Sequence, residues 1–238
     1  MMCLERLVTR KLYDDVKDVL DPFQFAYKDK RGSDDAVNTL VHLVLKHLEK
    51  PEACARVPFA DFSSAVNTIQ THVLLERMKA MKVNPFIIKW YHSFLTDRSQ
   101  LVRVNRPHSL SLATNTGVPQ GCVISPLLYT LYTNDCTSTT SRNFIVKLAD
   151  DSAVLSLLFA HSKIDMYFSE VNRFAEWCTD SVLELNTQKT LQKLYLIPNQ
   201  FARTCRWLSV GSYKYLGIHI DSKLSLGVHV EAVCSGAQ

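Results

Sequence analysis

Two adjacent carboxylates, Asp150 and Asp151, lie inside Phe144-Ile-Val-Lys-Leu-Ala-Asp-Asp-Ser-Ala-Val-Leu155, with apolar, β-prone residues on both sides. The pattern reads as a strand, a tight turn and a second strand, with the acids at the tip. Like charges this close repel, and burying even one unpaired carboxylate is costly. A divalent cation removes that cost, and hard oxygen ligands are what magnesium prefers. Half of a metal site is therefore expected here, and it needs a further carboxylate from elsewhere in the chain.

An Asp-Asp pair is unspecific by itself, because the chain holds two more. Asp14-Asp15 falls in a polar, helix-like stretch and reads as a solvated face. Asp34-Asp35 follows Ser33 and precedes Val37, Leu40, Val41, Val44, Leu45 and Leu48. Ser33 is expected to cap that helix, whose positive end the two acids complement. A lone acid, Asp61, ends the run Ala55-Arg-Val-Pro-Phe-Ala60 before a small-residue turn. The carboxyl end of a strand is a frequent site position, and a helix N-cap is the alternative. In Thr116-Gly-Val-Pro-Gln-Gly-Cys-Val-Ile-Ser-Pro126, glycines bracket Pro119 and Gln120. Such a turn lets backbone approach a ligand closely; its alternative is a plain connection into a core helix.

The elements that must position these residues follow from periodicity. An amphipathic helix is expected over 4–20, with Leu4, Leu7, Val8, Leu12 and Val16 as its core face, broken by Asp21-Pro22. Phe23 to Gly32 mixes aromatics with cations in a loop or short strand, a composition suited to nucleic-acid stacking or to an aromatic anchor on the core. Helices are expected over 34–49, about 71–81, from Asn84-Pro85 through Phe94, from Ser125-Pro126 to about Asn134, and over 164–178. The last would bury Ile164, Phe168, Val171, Phe174 and Cys178. Strands are expected at 101–105, 183–186 and 191–197, and a hairpin at 213–221; the tail from Ser222 holds little core material.

Composition bounds the function class. A chain of 238 residues, 47% hydrophobic, fits one to two domains with an ample core. A net charge of +4 permits a polyanionic partner without requiring one. Seven scattered cysteines without C-x-x-C spacing suit a reducing compartment. Apolar runs are too short for a membrane span, and charges come too early for a secretory signal, so an intracellular protein of nucleus or cytoplasm is expected. P-loop, G-x-G-x-x-G, H-E-x-x-H and G-x-S-x-G patterns are all lacking.

Five stretches occur in a telling order: Asp61-Phe-Ser-Ser-Ala, Gly117-Val-Pro-Gln-Gly, Leu148-Ala-Asp-Asp, Leu185-Asn-x-x-Lys189-Thr and Tyr215-Leu-Gly. Together they resemble the successive palm motifs of reverse transcriptases from LINE-type (non-LTR) retrotransposons, from about Leu4 to about Leu226. The resemblance implies an α+β fold: a right-hand polymerase palm, an antiparallel sheet with packed helices, plus partial fingers and a truncated thumb. By domain, 1–55 would be partial fingers and 56–221 the palm, with an inserted fingers segment at about 84–115. Residues 222–238 would begin a thumb or form a disordered tail.

The implied activity is RNA-directed DNA polymerisation, joining dNTPs to a DNA primer on an RNA or DNA template. Asp61, Asp150 and Asp151 would hold two magnesium ions, or manganese in their place, with Asp61 and Asp150 leading and Asp151 contributing or supporting the turn. One ion would activate the primer 3′-hydroxyl and the other would bind the triphosphate. Phe62, Val66, Gln120 and Gly121 would frame the nucleotide, Lys189 would act near the pyrophosphate, and Tyr215, Leu216 and Gly217 would grip the primer. Two positions depart from the family pattern: Val66 replaces an aromatic gate against the ribose 2′-hydroxyl, and Leu148 replaces Phe or Tyr. The absence of an upstream basic finger segment and of a thumb suggests a fragment of a longer reading frame. A catalytically inactive remnant that keeps the palm fold and binds nucleic acid weakly is the alternative, and an unrelated two-metal phosphotransfer enzyme is a third reading.

Overall fold

The computed structural model describes residues 2–103, 109–159, 165–186, 190–196, 212–221, 224 and 227–236. In chain order the elements are α1 (Met2–Val16), α2 (Ser33–Leu48), β1 (Ala53–Ala60), α3 (Ala65–Thr68), α4 (Thr71–Ala80) and α5 (Pro85–Leu95). There follow β2 (Arg98–Gln100), β3 (Leu112–Thr114), α6 (Ser125–Tyr132), β4 (Asn143–Leu148), β5 (Asp151–Phe159) and α7 (Asp165–Asp180). The remainder are β6 (Leu191–Leu196), β7 (Ser212–Tyr215), β8 (Ile218–Asp221) and α8 (Gly227–Gly236). The chain divides into two compact units, one of Met1–Asp21, Ser63–Asp135 and Trp177–Glu184, the other of Pro22–Phe62, Cys136–Glu176 and Leu185–Gln238.

The second unit is built on an antiparallel sheet in the order β4-β5-β1-β6. Strand side chains alternate between faces, and here one face is apolar. Ala55, Val57 and Phe59 of β1, Val146 of β4, and Ala153 and Leu155 of β5 pack with Val37, Leu40 and Val44 of α2 and with Tyr215 and Ile220 of the β7–β8 hairpin. Toward the other face, the guanidinium of Arg56 lies 5.1 Å over the ring of Tyr167, and Asn143 donates to Glu170 at 3.1 Å. Buried Lys147 is satisfied by the carbonyl of Cys136 at 2.8 Å, while its own backbone pairs with Phe23 and Phe25.

In the first unit, α6 is buried on every side from Leu127 to Tyr132. Arg77 of α4 holds this region together. Its guanidinium sits over the rings of Tyr132 and Trp177, pairs with Asp135 at 2.8 Å, and donates to Ser181 Oγ and to the carbonyl of Tyr132. Asn84 caps α5 as expected, accepting from the Phe86 N–H at 2.9 Å with Pro85 in the first turn.

Several expectations need correction. Leu4 and Leu7 are exposed, and α1 instead buries Glu5, Leu12 and Val16. The 3.6-residue period puts those three on one stripe, which apolarity alone did not select. Gly32, not Ser33, caps α2, and the Asp35 carboxylate reaches back to the Gly32 N–H at 2.9 Å. The strand foreseen at 101–105 lies at Arg98–Gln100, because pairing with β3 (Arg98 opposite Thr114) sets its register; residues 104 and 105 lie outside the described residues. In α7 the buried side is Tyr167, Glu170, Phe174 and Cys178, while Phe168 is exposed; Ile164 lies outside the described residues. Glu170 occupies a core-side position because Arg173 and Asn143 satisfy it. Leu183–Asn186 is no strand, only a bridge from Leu185 to Phe62.

Candidate functional site

The acids are positioned by strand register. The β1–β5 ladder ends with Phe59 opposite Ala153 and Ala60 opposite Ser152, so Asp61 and Asp151 each come one residue past its last pair, at the same end of the ladder. The β4–β5 hairpin closes at Leu148 opposite Asp151, leaving Ala149 and Asp150 as its two-residue turn. Ala149 has φ +52°, a left-handed conformation that a side chain disfavours. It supplies the positive φ that tight hairpins require at the first central residue. Asp150 is exposed at the tip, whereas Asp61 and Asp151 are half-buried.

Asp61 is not a helix cap, since Ser64 and Gln70 precede α3 and α4. Asn186 secures it instead. The Asn186 backbone N–H donates to the Asp61 carbonyl at 2.9 Å, and its side-chain amide donates to the Asp61 carboxylate at 3.3 Å. Phe62 is buried, with its ring 6.3 Å from that of Phe174, so its side chain serves as core.

The β7–β8 hairpin packs over β1. Tyr213 stacks on Phe59 with centroids 4.4 Å apart and planes 22° from parallel, and Tyr215 tilts against the same ring at 4.7 Å. Leu216 (φ +49°) and Gly217 (φ +87°) form its turn, the geometry of a primed hairpin. Burial raises the Tyr213 phenol above its ordinary value, and the charges of Asp151 and then Asp61 raise it further. Tyr215 is pushed up chiefly by burial, then by Asp151 and Tyr213. Its hydroxyl is buried with no hydrogen-bond partner among the described residues.

Gln120, Gly121 and Val66 belong to the first unit. Gly117 is needed there for close approach, but to the chain itself. At φ +70° a Cβ would meet the Asn67 backbone oxygen at 2.7 Å. The Gly117 and Val118 N–H groups donate to Ile69 and Val66 carbonyls at 2.7 and 3.1 Å, and Gln120 donates to Asn67 Oδ1 at 3.0 Å. Arg98 donates to the Thr116 and Gly117 carbonyls at 2.8 and 2.6 Å, and burial pulls its guanidinium below its ordinary value. Gly121 (φ +80°) has open space where a Cβ would stand. Val66 is half-buried and Gln120 exposed. Lys189 lies outside the described residues.

Sequence reasoning missed Asn186, Asn67, Arg98 and Tyr213. Asn186 stood inside a quoted motif, and Tyr213 precedes Tyr215 by the two-residue period that puts both on one strand face. Asn67 and Arg98 carried no signal, because only the fold brings them to the loop. Among the described residues no group of three or more His, Cys, Asp or Glu is arranged to hold a metal ion. Asp61, Asp150 and Asp151 each carry hard carboxylate oxygens, the ligand type that a divalent cation such as magnesium takes. Among the described residues no helix is long and apolar enough to cross a membrane.

The family model described as reverse transcriptase (RNA-dependent DNA polymerase) matches residues 1–220. The "Probable RNA-directed DNA polymerase from transposon BS" of Drosophila melanogaster is 27% identical over 247 residues, covering 96% of this chain and 27% of that protein. The "RNA-directed DNA polymerase from mobile element jockey" of the same species is 27% identical over 248 residues, covering 95% and 26%. The chain thus spans about a quarter of the length of these curated relatives. Apo telomerase from Candida tropicalis aligns with a TM-score of 0.64 at 16% identity, over 95% of this chain and 40% of that one. This likeness carries the fold, an α+β polymerase palm.

Proposed function

The chain belongs to the reverse transcriptase (RNA-dependent DNA polymerase) family, and from that premise we propose that it is the catalytic palm of an RNA-directed DNA polymerase. The reaction is nucleotidyl transfer from a dNTP to the 3′-hydroxyl of a DNA primer on an RNA or DNA template. One observation carries the reading: the β1–β5 ladder ends at Ala60 opposite Ser152, which leaves Asp61 and Asp151 one residue past it at the same end, with Asp150 next in the hairpin turn.

Asp61, Asp150 and Asp151 would hold divalent magnesium. When bound, such ions supply Lewis acidity at the attacking hydroxyl and at the triphosphate. The chain's own residues do the positioning. Asn186 fixes Asp61 through backbone and side chain, and the primed turn at Leu216-Gly217 presents the β7–β8 hairpin as the primer grip with Tyr215 as its anchor. Val66, Gln120 and Gly121 frame the incoming nucleotide and its template base, while Phe62 anchors the segment that bears Asp61. Lys189 stabilises charge developing on the pyrophosphate. By domain, 1–55 and about 84–115 are assigned to fingers, the rest of 56–221 to palm, and 222–238 to the start of a thumb, where α8 stands.

The test is primer extension by the purified chain with magnesium and dNTPs, on RNA and DNA templates. Template-dependent extension that stops on chelation supports the reading. Metal-independent incorporation, or none under any template and metal condition, overturns it.

A further inference from the structure

The backbone around Gln120 is fixed, but packing does not fix its side chain. Ser125 Oγ donates to the Pro119 carbonyl on one side, and Gly121 turns the chain at φ +80° on the other. The Gln120 side chain is exposed and ends in an amide, whose last torsion is broad and roughly two-fold. Among the described residues it has one hydrogen-bond partner, Asn67 Oδ1, which accepts from Gln120 Nε2 at 3.0 Å. We propose that Asn67 is a positioning residue for the incoming nucleotide, because it fixes the order of donor and acceptor on the Gln120 amide.

Asn67 suits this task because it is tied to the same loop. It lies in α3, whose backbone comes so near Gly117 that a Cβ there would meet the Asn67 oxygen at 2.7 Å. Two backbone bonds flank that contact. The Val66 carbonyl accepts from the Val118 N–H at 3.1 Å, and the Ile69 carbonyl accepts from the Gly117 N–H at 2.7 Å. Both side chains therefore stand on one support, so their bond orders little besides the two side chains themselves. A glutamine amide carries two N–H donors and one carbonyl acceptor. With one N–H held by Asn67, Gln120 Oε1 and the other N–H remain for the nucleotide, in one arrangement rather than two.

This inference rests on the nucleotide-framing role of Gln120 proposed above, so one arm of the test does not use that role. Nuclear magnetic resonance of the nucleotide-free full chain reads the Gln120 side-chain amide protons, identified by their loss in Gln120→Leu. Asn67→Leu should move them toward the positions of a free glutamine, while Asn67→Asp, which keeps an acceptor, should not. The second arm is primer extension with magnesium and dNTPs. Asn67→Leu should raise the dNTP KM by about three- to tenfold, as expected for one hydrogen bond, with kcat and melting temperature unchanged. Adding Asn67→Leu to Gln120→Leu should raise the KM no further, since the two residues act as one. Resonances that Asn67→Leu leaves in place, additive losses, or a KM moved only by Gln120→Leu overturn the role of Asn67 and leave the polymerase reading standing. If Gln120→Leu leaves the KM unchanged, or the parent extends no primer, the framing role falls and this inference with it.

Discussion

The acidic hairpin of the second unit and the glycine-bracketed loop of the first are both turns that carry motif residues, yet different forces hold them. The hairpin inherits its geometry from backbone ladders on either side, Leu148 with Asp151 and Ala60 with Ser152. Its acids are presented by register, and Asp150 touches solvent. The loop has no ladder of its own. Distant groups shape it: Arg98 on its carbonyls, Asn67 beneath Gly117 and beside Gln120, and Ser125 Oγ donating to the Pro119 carbonyl at 2.5 Å. A site built on register should tolerate changes of side-chain charge, whereas one built on close approach should fail when a single carbon is added.

The largest expected effect separates activity from stability in the hairpin. Asp150→Asn should reduce primer extension to background, while metal-free melting stays level or rises because repulsion in a crowded acidic site is relieved. A marked drop in melting temperature would instead make Asp150 a structural hydrogen-bonding residue. The loop should behave in the opposite sense. Gly117→Ala combines a left-handed φ with backbone contact at 2.7 Å and should cost about 2–4 kcal/mol in denaturant unfolding. Gly121→Ala, strained only by φ +80°, should cost about 1–2 kcal/mol. Equal costs at the two glycines would show that close approach to Asn67 is unimportant.

A smaller effect concerns sugar choice. Valine at position 66 leaves volume where the family carries an aromatic gate, so ribonucleotides should be poorly excluded. Val66→Phe should shift the dNTP-over-rNTP ratio of kcat/KM by about tenfold or more. An equal loss on both sugars would make Val66 a packing residue, in keeping with its carbonyl accepting from Val118.

Alkaline pH should weaken both units. Burial raises Tyr91, Tyr213 and Tyr215 above their ordinary value, which is about 10 in the unfolded chain. The folded state therefore keeps protons that the unfolded state releases. Their contribution is complete below about pH 10 and is lost as pH climbs toward the folded values. Tyr91→Phe should flatten that decline in a melting series. Last and smallest, Ala149→Gly removes the strain of φ +52° but adds chain entropy, so unfolding should change by no more than about 1 kcal/mol.

How much was legible beforehand follows the same division. Apolar, β-prone runs on both sides of Asp150-Asp151 specified both strands and the turn between them, because the break between the runs is local in the chain. The hairpin at Tyr213 to Asp221 was legible for the same reason, and Gly217 marked its turn. Asp61 could be flagged as a strand-end acid, but its place at the same ladder end as Asp151 depends on long-range pairing that a single chain does not display. Helix existence was readable while helix faces were not. Glu5 and Glu170 are buried where apolarity pointed to Leu4, Leu7 and Phe168, and for Glu170 the partners that make burial tolerable, Asn143 and Arg173, are supplied by the fold. The loop motif was recognised, but the close approach of Gly117 to the Asn67 backbone was not, because only the fold brings the two together.

The central claim is that Asp61 and Asp151, with Asp150 beside them, form one cation-binding centre. Anomalous diffraction from crystals of the chain grown with Mn2+ tests it most directly. An anomalous peak is expected against the carboxylates of Asp61 and Asp151, lost in Asp61→Asn crystals. A peak only at other residues, or one at the hairpin that persists without the Asp61 carboxylate, would contradict it.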